Sequence, residues 1–414
     1  MAELEIREFY GKESLPLARL SAMSLHLVKP EMAQEDDEAA KACERSDEKL
    51  CALEALGVRY FRLGAFLDGR LTASLDMRPM AVRFDGHTVL SGDIGDVCSE
   101  PELRRTGSVR KLFAVLVNEM YDRGVVLSDL APFTANFYRK FGYEAVCENA
   151  FWTIPTEYLP AYSNEGITRY TGSDGQKTAV REIYRKWIEP LNFAEDYTEH
   201  RWESWFESHK PYASGHYGYL HQTNGEPDGF FCYETNFDCE RPMLLDMTGG
   251  AFWYTSPAGL RGILAYAACY RDYARALYLK LPRDVDLTPL VEITGGWGRK
   301  LVTRLSEIRH TARVVNVQRA LELAAYRGSG KVCVEIDDPS CERNCGTFTV
   351  TFDGRAISVI RGGEPDLRCS VGTFSAMLLG RGGVEIGELF PGTQVLGNRA
   401  ELDKVFYRKP VFCN

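Results

Sequence analysis

No apolar run in the chain reaches the roughly 20 residues that a membrane-spanning helix needs. The opening Met1-Ala2-Glu3-Leu4-Glu5-Ile6 is acidic and lacks both the basic and the apolar region of a secretory signal. These two absences point to a cytoplasmic protein with no membrane partner. An excess of positive charge is missing too. With 49 Lys and Arg against 58 Asp and Glu, the net charge is −9, which argues against nucleic acid as a partner and suits cationic substrates. The 12 cysteines form no metal-binding pattern. Cys341 and Cys345 have neither a second pair nor a histidine cluster nearby, so the cysteines read as reduced structural thiols and no metal is expected. Nor does the composition, 45% hydrophobic and 26% charged, suggest disorder. A chain of 414 residues is too long for one core, and two or three domains are expected.

The most informative stretch runs from Val97 to Leu112. It reads as a strand end (Val97, Cys98, Ser99), a basic turn (Arg104-Arg105-Thr106-Gly107), and the start of a helix at Ser108, Val109 and Arg110. Apolar residues at Val109, Leu112, Phe113, Leu116, Val117 and Met120 recur at three- and four-residue steps, as on one face of a helix. The first turn of such a helix carries unpaired backbone N–H groups, and guanidiniums beside them make an anion site suited to a pyrophosphate. Gly107 allows close backbone approach.

In chain order, a strand at Glu5–Tyr10 and a helix around Leu15–Leu27 precede an acidic stretch with Glu35, Asp36, Asp37 and Glu38. That stretch reads as a solvated helix face, with a wall attracting a polyamine as the functional alternative. Gly69 and Asp85-Gly86 supply turns for an antiparallel meander. After the helix come a strand over Val125–Leu130, the loop Ala131-Pro132-Phe133-Thr134, a short helix at Asn136–Lys140 and a strand over Ala145–Ile154. A second unit repeats this order, with a long helix over Pro257–Tyr273, but has no arginine pair before its glycine. A third unit is built from strands and short helices, with Asp353-Gly354 as a hairpin turn. The resulting division is 1–160, 161–300 and 301–414.

Arg104-x-x-Gly107-x-Val109 resembles the acyl-CoA signature of the Gcn5-related N-acetyltransferases, the GNAT superfamily, with Val109 departing from its usual small residue. The whole order, carried also by Phe137-Tyr138-Arg139-Lys140-Phe141-Gly142-Tyr143 and Ala312-Arg313-Val314-Val315-Asn316-Val317, resembles the Eis (enhanced intracellular survival) acetyltransferases. The resemblance implies an α+β fold: two GNAT-like domains in tandem, the second degenerate, followed by a sterol-carrier-protein-like α+β domain. It implies acetyl-CoA as co-substrate, held by Val97, Cys98 and Ser99 along its pantetheine arm and by Arg105, Thr106, Gly107, Ser108, Val109 and Arg110 at its pyrophosphate. Phe133 and Thr134 match further CoA-contacting positions. Tyr138 matches the general acid, and a phenol with a pKa near 10 can protonate a departing thiolate.

No histidine stands near these motifs in the sequence. The base implied by the resemblance is the terminal carboxylate, here that of Asn414, although relatives end in an aromatic residue. Pro410-Val411-Phe412-Cys413 ahead of it is apolar and suits burial. The implied acceptors are primary amines of aminoglycosides, polyamine-like molecules or lysine side chains, and the implied assembly is a hexamer. The alternative is a hydrophobic-ligand carrier whose first domain senses CoA.

Overall fold

A computed structural model describes residues 4–27, 36–213, 215–237, 245–291 and 302–413. The chain forms two compact units, Met1–Cys147 with Arg309–Lys409, and Glu148–Ile308 with Pro410–Asn414.

The first unit opens with strand β1 (Leu4–Glu8), helices α1 (Ser14–Leu25) and α2 (Asp36–Cys51), and a short ladder of β2 (Glu54–Ala55) and β3 (Val58–Arg59). In α2, Asp37 and Glu38 are exposed, as a solvated face requires; Glu35 lies outside the described residues. Three antiparallel strands follow: β4 (Phe61–Leu67), β5 (Arg70–Phe84) and β6 (His87–Ser99). Asp68-Gly69 and Asp85-Gly86 turn the chain between them with positive φ at every position, the geometry that Asp-Gly pairs favour in tight hairpins. Helix α3 (Ser108–Asp122) crosses to β7 (Leu127–Leu130), which pairs in parallel with β6. Of its apolar stripe, Leu112, Phe113, Leu116, Val117 and Met120 are buried against the sheet, and Val109 is half-buried. Then come α4 (Ala135–Tyr138), a tight turn over Arg139–Phe141, and β8 (Glu144–Pro155).

The second unit contains β9 (Ile167–Arg169), α5 (Asp174–Ile188), α6 (Glu199–Ser208), β10 (His216–Thr223), β11 (Glu226–Phe237), β12 (Leu245–Tyr254), α7 (Pro257–Ala268) and β13 (Ala274–Pro282). Its strands run in the order β8-β13-β12-β11-β10-β9. The β12–α7–β13 crossover, with β12 and β13 parallel, repeats β6–α3–β7. Helix α7 ends at Ala268 rather than Tyr273, because successive turns close there and the Ala274 N–H donates to the Tyr270 carbonyl at 2.7 Å. The tail is stitched into this unit. The Asn192 N–H donates to the Pro410 carbonyl (2.8 Å), the Phe412 N–H donates to the Asn192 carbonyl (3.0 Å), and Phe412 packs edge-on to Trp187.

The chain returns to the first unit through β14 (Thr303–Val314), whose Thr311–Val314 pair antiparallel with Leu127–Leu130 of β7. Helix α8 (Val317–Leu323) leads into β15 (Gly330–Asp337), β16 (Gly346–Phe352), β17 (Ile357–Arg361), β18 (Leu367–Ser370), α9 (Val371–Leu378), α10 (Val384–Gly387), β19 (Gln394–Val395) and α11 (Arg399–Leu402). These strands make a second sheet in the order β17-β16-β15-β18-β19. The fold is mixed α and β throughout. Cys147 and Cys413 are disulfide-bonded, against the reading of every cysteine as reduced. Their apolar contexts match those of the free thiols, so nothing in the sequence marks them.

Arg313 at the end of β14 is fully buried. Its guanidinium donates to the Phe141 carbonyl (2.5 Å) and pairs with Asp338 (2.5 Å), which also accepts from Asn344 (2.8 Å). A buried pair that loses one partner strands the other charge. Arg313→Met is therefore expected to cost about 3–5 kcal/mol, measured as a lower urea midpoint at unchanged slope.

Candidate active site

The site begins with a length mismatch. Parallel pairing of β6 with β7 ends at the rung Asp93↔Asp129, yet β6 continues to Ser99 while β7 stops at Leu130. The two strands therefore part beyond that rung. On its other side β6 pairs with β5, Gly95 opposite Asp76 and Cys98 opposite Ser74, so three steps on β6 match two on β5. The extra residue makes a bulge at Asp96 and Val97, with Asp96 in the left-handed region at φ 45°. Neither Asp96 nor Val97 has a register partner on β5, so the ladder leaves backbone groups there to face the opening.

A cleft of about 900 Å³ lies at this end of β6. Val97, Cys98 and Ser99 line it from the strand, Arg104 to Arg110 from the turn and α3, and Phe133, Phe137 and Lys140 from beyond β7. The first helical hydrogen bond of α3 runs from the Lys111 N–H to the Gly107 carbonyl at 3.1 Å. The N–H groups of Ser108, Val109 and Arg110 thus have no acceptor within the helix, and Gly107 as N-cap offers no side chain. Gly107 has φ +94°, and a Cβ built there would meet nothing within 4 Å, so the approach to those N–H groups is open. Arg105 also takes positive φ, 69°. That strain, about 1–2 kcal/mol for a non-glycine residue, is accepted in a turn aimed at the cleft. Bare helix N–H groups beside Arg105 and Arg110 suit a diphosphate.

Tyr138, at the end of α4, is 4% exposed. It stands edge-on to Phe133 (5.5 Å between centroids) and Phe137 (5.0 Å), directly behind the cleft wall rather than in it. Burial pushes its phenol up to about 12, so it holds its proton at neutral pH. The loop beyond it is fixed by Arg313 and by Gly142 (φ +81°), where a Cβ would come within 2.6 Å of Val371.

The opposite face of β6 is acidic. A Cβ on Gly92 would strike Met120 of α3, whereas one on Gly95 would strike Asp76 and Arg78, so Asp93 points away from α3. Asp76 is fully buried; its Oδ2 accepts from the Tyr60 hydroxyl (3.0 Å), and its Oδ1 finds no hydrogen-bond partner among the described residues. Asp129 accepts from Ser91 (3.1 Å) and lies 3.2 Å from His310 Nδ1. Burial pushes the Asp93 carboxyl up to about 7, with Asp129 adding to the rise and Arg78 and His310 opposing it.

The site residues read from the sequence thus gather around one cleft, with three exceptions, one of them Tyr138 behind its wall. Thr134 caps α4 outside the lining. Asn414 lies outside the described residues. The Ser99 N–H is already engaged, donating to Ser24 Oγ at 3.2 Å. Ser24, Leu25 and His26, from the end of α1, also line the cleft, and His310 stands beside Asp129, so histidines do approach the site. Their sequence contexts carry no signal. Tertiary packing alone brings them there.

Residues 32–146 match the family described as an acetyltransferase (GNAT) domain, and residues 317–414 match a sterol carrier protein domain. An uncharacterized N-acetyltransferase of Streptomyces avermitilis is 25% identical over 297 residues, 67% of this chain and 68% of its own. The chain is an acyltransferase, and residues 32–146 form its GNAT acetyltransferase domain. Its Eis-like fold is shared with a probable N-acyltransferase of Enterococcus faecalis (19% identity, TM-score 0.79, 100% of both chains). Eis1 of Mycobacterium abscessus shares it as well (18% identity, TM-score 0.76, 99% of both chains).

Folded Asp93 keeps its proton to about pH 7, while an unfolded aspartate releases it near 4. Between those values the unfolded state of this acyltransferase binds fewer protons, and stability falls as pH rises. Asp93→Asn is expected to be more stable than wild type above pH 7, by on the order of 2–4 kcal/mol. That gain shrinks toward pH 4, as denaturation at a series of pH values would show.

Proposed function

We propose that the chain is an acetyl-CoA-dependent N-acetyltransferase acting on primary amines by direct transfer. The observation that carries this reading is the open N-terminus of α3, with Arg105 and Arg110, at a cleft that runs to the parted end of β6. Acetyl-CoA docks its diphosphate on the Ser108–Arg110 N–H groups and extends its pantetheine arm past Ser99 and Cys98. The bulge N–H at Val97 polarises the thioester oxygen and stabilises the oxyanion. Tyr138 protonates the departing thiolate.

The acidic face supports a cationic acceptor of the aminoglycoside, polyamine or lysine type. By the resemblance the enzyme is a cytoplasmic hexamer, and light scattering after gel filtration should return six times the chain mass of 46.6 kDa.

Within the division 1–160, 161–300 and 301–414, the middle part acts as a degenerate copy. Its α7 N-terminus is closed on itself. Ser256 Oγ accepts from the Gly259 N–H (2.9 Å) and donates to Asp228 (2.5 Å), and a Cβ at Gly259 would fall 2.2 Å from the Asp228 carbonyl. The carrier alternative is disfavoured because Val334, Ile336, Phe348, Val350 and Phe352 of the C-terminal sheet are already buried, with α9 packed on β15 and β18.

Thiol release from acetyl-CoA with a panel of amines tests the reading. Tyr138→Phe should lower kcat by about 10²-fold. Arg110→Gln and Arg105→Gln should each raise the KM for acetyl-CoA about tenfold with little change in kcat. Absence of thiol release with every amine would refute the reading.

A further inference from the structure

Cys147 and Cys413 are the bonded pair among the described cysteines, and nine others remain thiols. Cys147 lies within β8, and Cys413 lies in the tail. Cys147 and Asn149 are two apart on the strand, so their side chains share a face. Together they hold one tail residue at three points. Asn149 Nδ2 donates to the Cys413 carbonyl (2.8 Å), the Cys413 N–H donates to Asn149 Oδ1 (3.3 Å), and the two sulfurs are joined. One residue earlier, Phe412 forms part of the wall of a cavity of about 270 Å³. Tyr184 and Trp187 of α5, Trp205 of α6, Trp253 of β12 and Lys280 of β13 also line it. The Phe412 ring stands edge-on to Trp187 at 5.0 Å, with Lys280 Nζ 5.3 Å from its centroid. Fixing Cys413 therefore fixes the ring that closes the cavity.

Without the sulfur bond the tail is held by little. Its backbone makes one bridge among the described residues, Val411 beside Asn192. Ordering each tail residue costs backbone freedom of the same size as a few buried side chains return. A crosslink takes that freedom from the released state as well and so decides the balance. Release is also local. Just ahead of the tail, Lys409 is buried and pairs with Asp85 Oδ2 at 2.5 Å. Breaking the disulfide frees the chain from Pro410 onward and leaves that anchor in place.

We propose that Cys147–Cys413 is a redox modification site, a latch through which a small-thiol couple such as glutathione and its disulfide governs whether Phe412 closes the aromatic cavity. Cys413 is 5% exposed and Cys147 1%, so the incoming thiolate attacks the Cys413 sulfur. The bond to Cys147 breaks, and Cys147 leaves as a thiolate and takes a proton. A second small thiolate attacks the small-molecule sulfur of the mixed disulfide, and Cys413 leaves as a thiolate and takes a proton in turn. Two electrons pass to the protein, and two small thiols become one small disulfide. Oxidation runs the same steps in reverse. The latch needs no acetyl transfer, so its failure and that of the proposed function are separate results.

The experiment holds the full-length protein in glutathione buffers, one mostly oxidised and one mostly reduced, and follows amide hydrogen exchange by mass spectrometry. In the oxidised buffer a peptide linking Cys147 to Cys413 should be found, and the reduced buffer should abolish it without denaturant. Exchange at the Phe412 and Cys413 amides should then rise by at least about tenfold, while the Lys409 amide and the rest of the chain keep their rates. Acrylamide quenching of tryptophan fluorescence should rise with it. Cys147→Ser should match the reduced wild type in both buffers, whereas Cys269→Ser, at an exposed thiol, should follow the wild type. Absence of the linked peptide, or equal tail exchange in the two buffers, would overturn the proposal. So would a bond that resists glutathione in the folded protein. Exchange rising along the whole chain on reduction would also overturn it, since the bond would then staple the fold rather than latch the tail.

Discussion

The buried guanidinium of Arg313 is the constraint on which the catalytic half of the chain depends. An arginine with no solvent exposure needs its charge matched and its donors filled, and Asp338, the Phe141 carbonyl and the Val314 carbonyl do both. These partners come from far apart in sequence, so one cation gathers the loop behind Tyr138, the strand beside β7 and the start of the C-terminal sheet. Packing alone would tolerate small displacements of that loop. A desolvated ion pair does not, because moving any partner uncovers an unmatched charge in a medium of low polarity.

Charge is sorted across the central sheet. On the α3 side lie Arg104, Arg105, Arg110, Lys140 and the bare helix N–H groups; on the other lie Asp76, Asp93 and Asp129. The net charge of −9 hides this sorting, since it reports a sum and not an arrangement. Groups of opposite sign thus stand on the two faces of the sheet where β6 and β7 part. The strain at Asp96 and Arg105 is spent on the two turns that shape this opening.

Much of this was legible in the sequence because it is local. The α3 stripe, the basic glycine turn and the Asp-Gly hairpins are written in consecutive residues, and each formed where its spacing placed it. The repeat of strand, helix and strand in the middle of the chain was legible for the same reason. What escaped is what depends on partners distant in sequence. Asp93 reads as an ordinary strand residue until Asp129 and His310 stand beside it, and Ser24 reads as a helix end until it reaches Ser99. The bulge escaped because one extra residue shows only against a paired neighbour. Helix α7 was overextended at Tyr273 because its apolar periodicity runs on past the point where the backbone turns toward β13.

The bond from the Ser99 amide to the Ser24 hydroxyl ties the rim of the cleft to the last turn of α1. Arg104 strengthens the same tether by donating to the Ser24 carbonyl at 3.0 Å. A ligand that draws on the Ser99 amide must compete with that hydroxyl, so occupancy and the seating of α1 share one free energy.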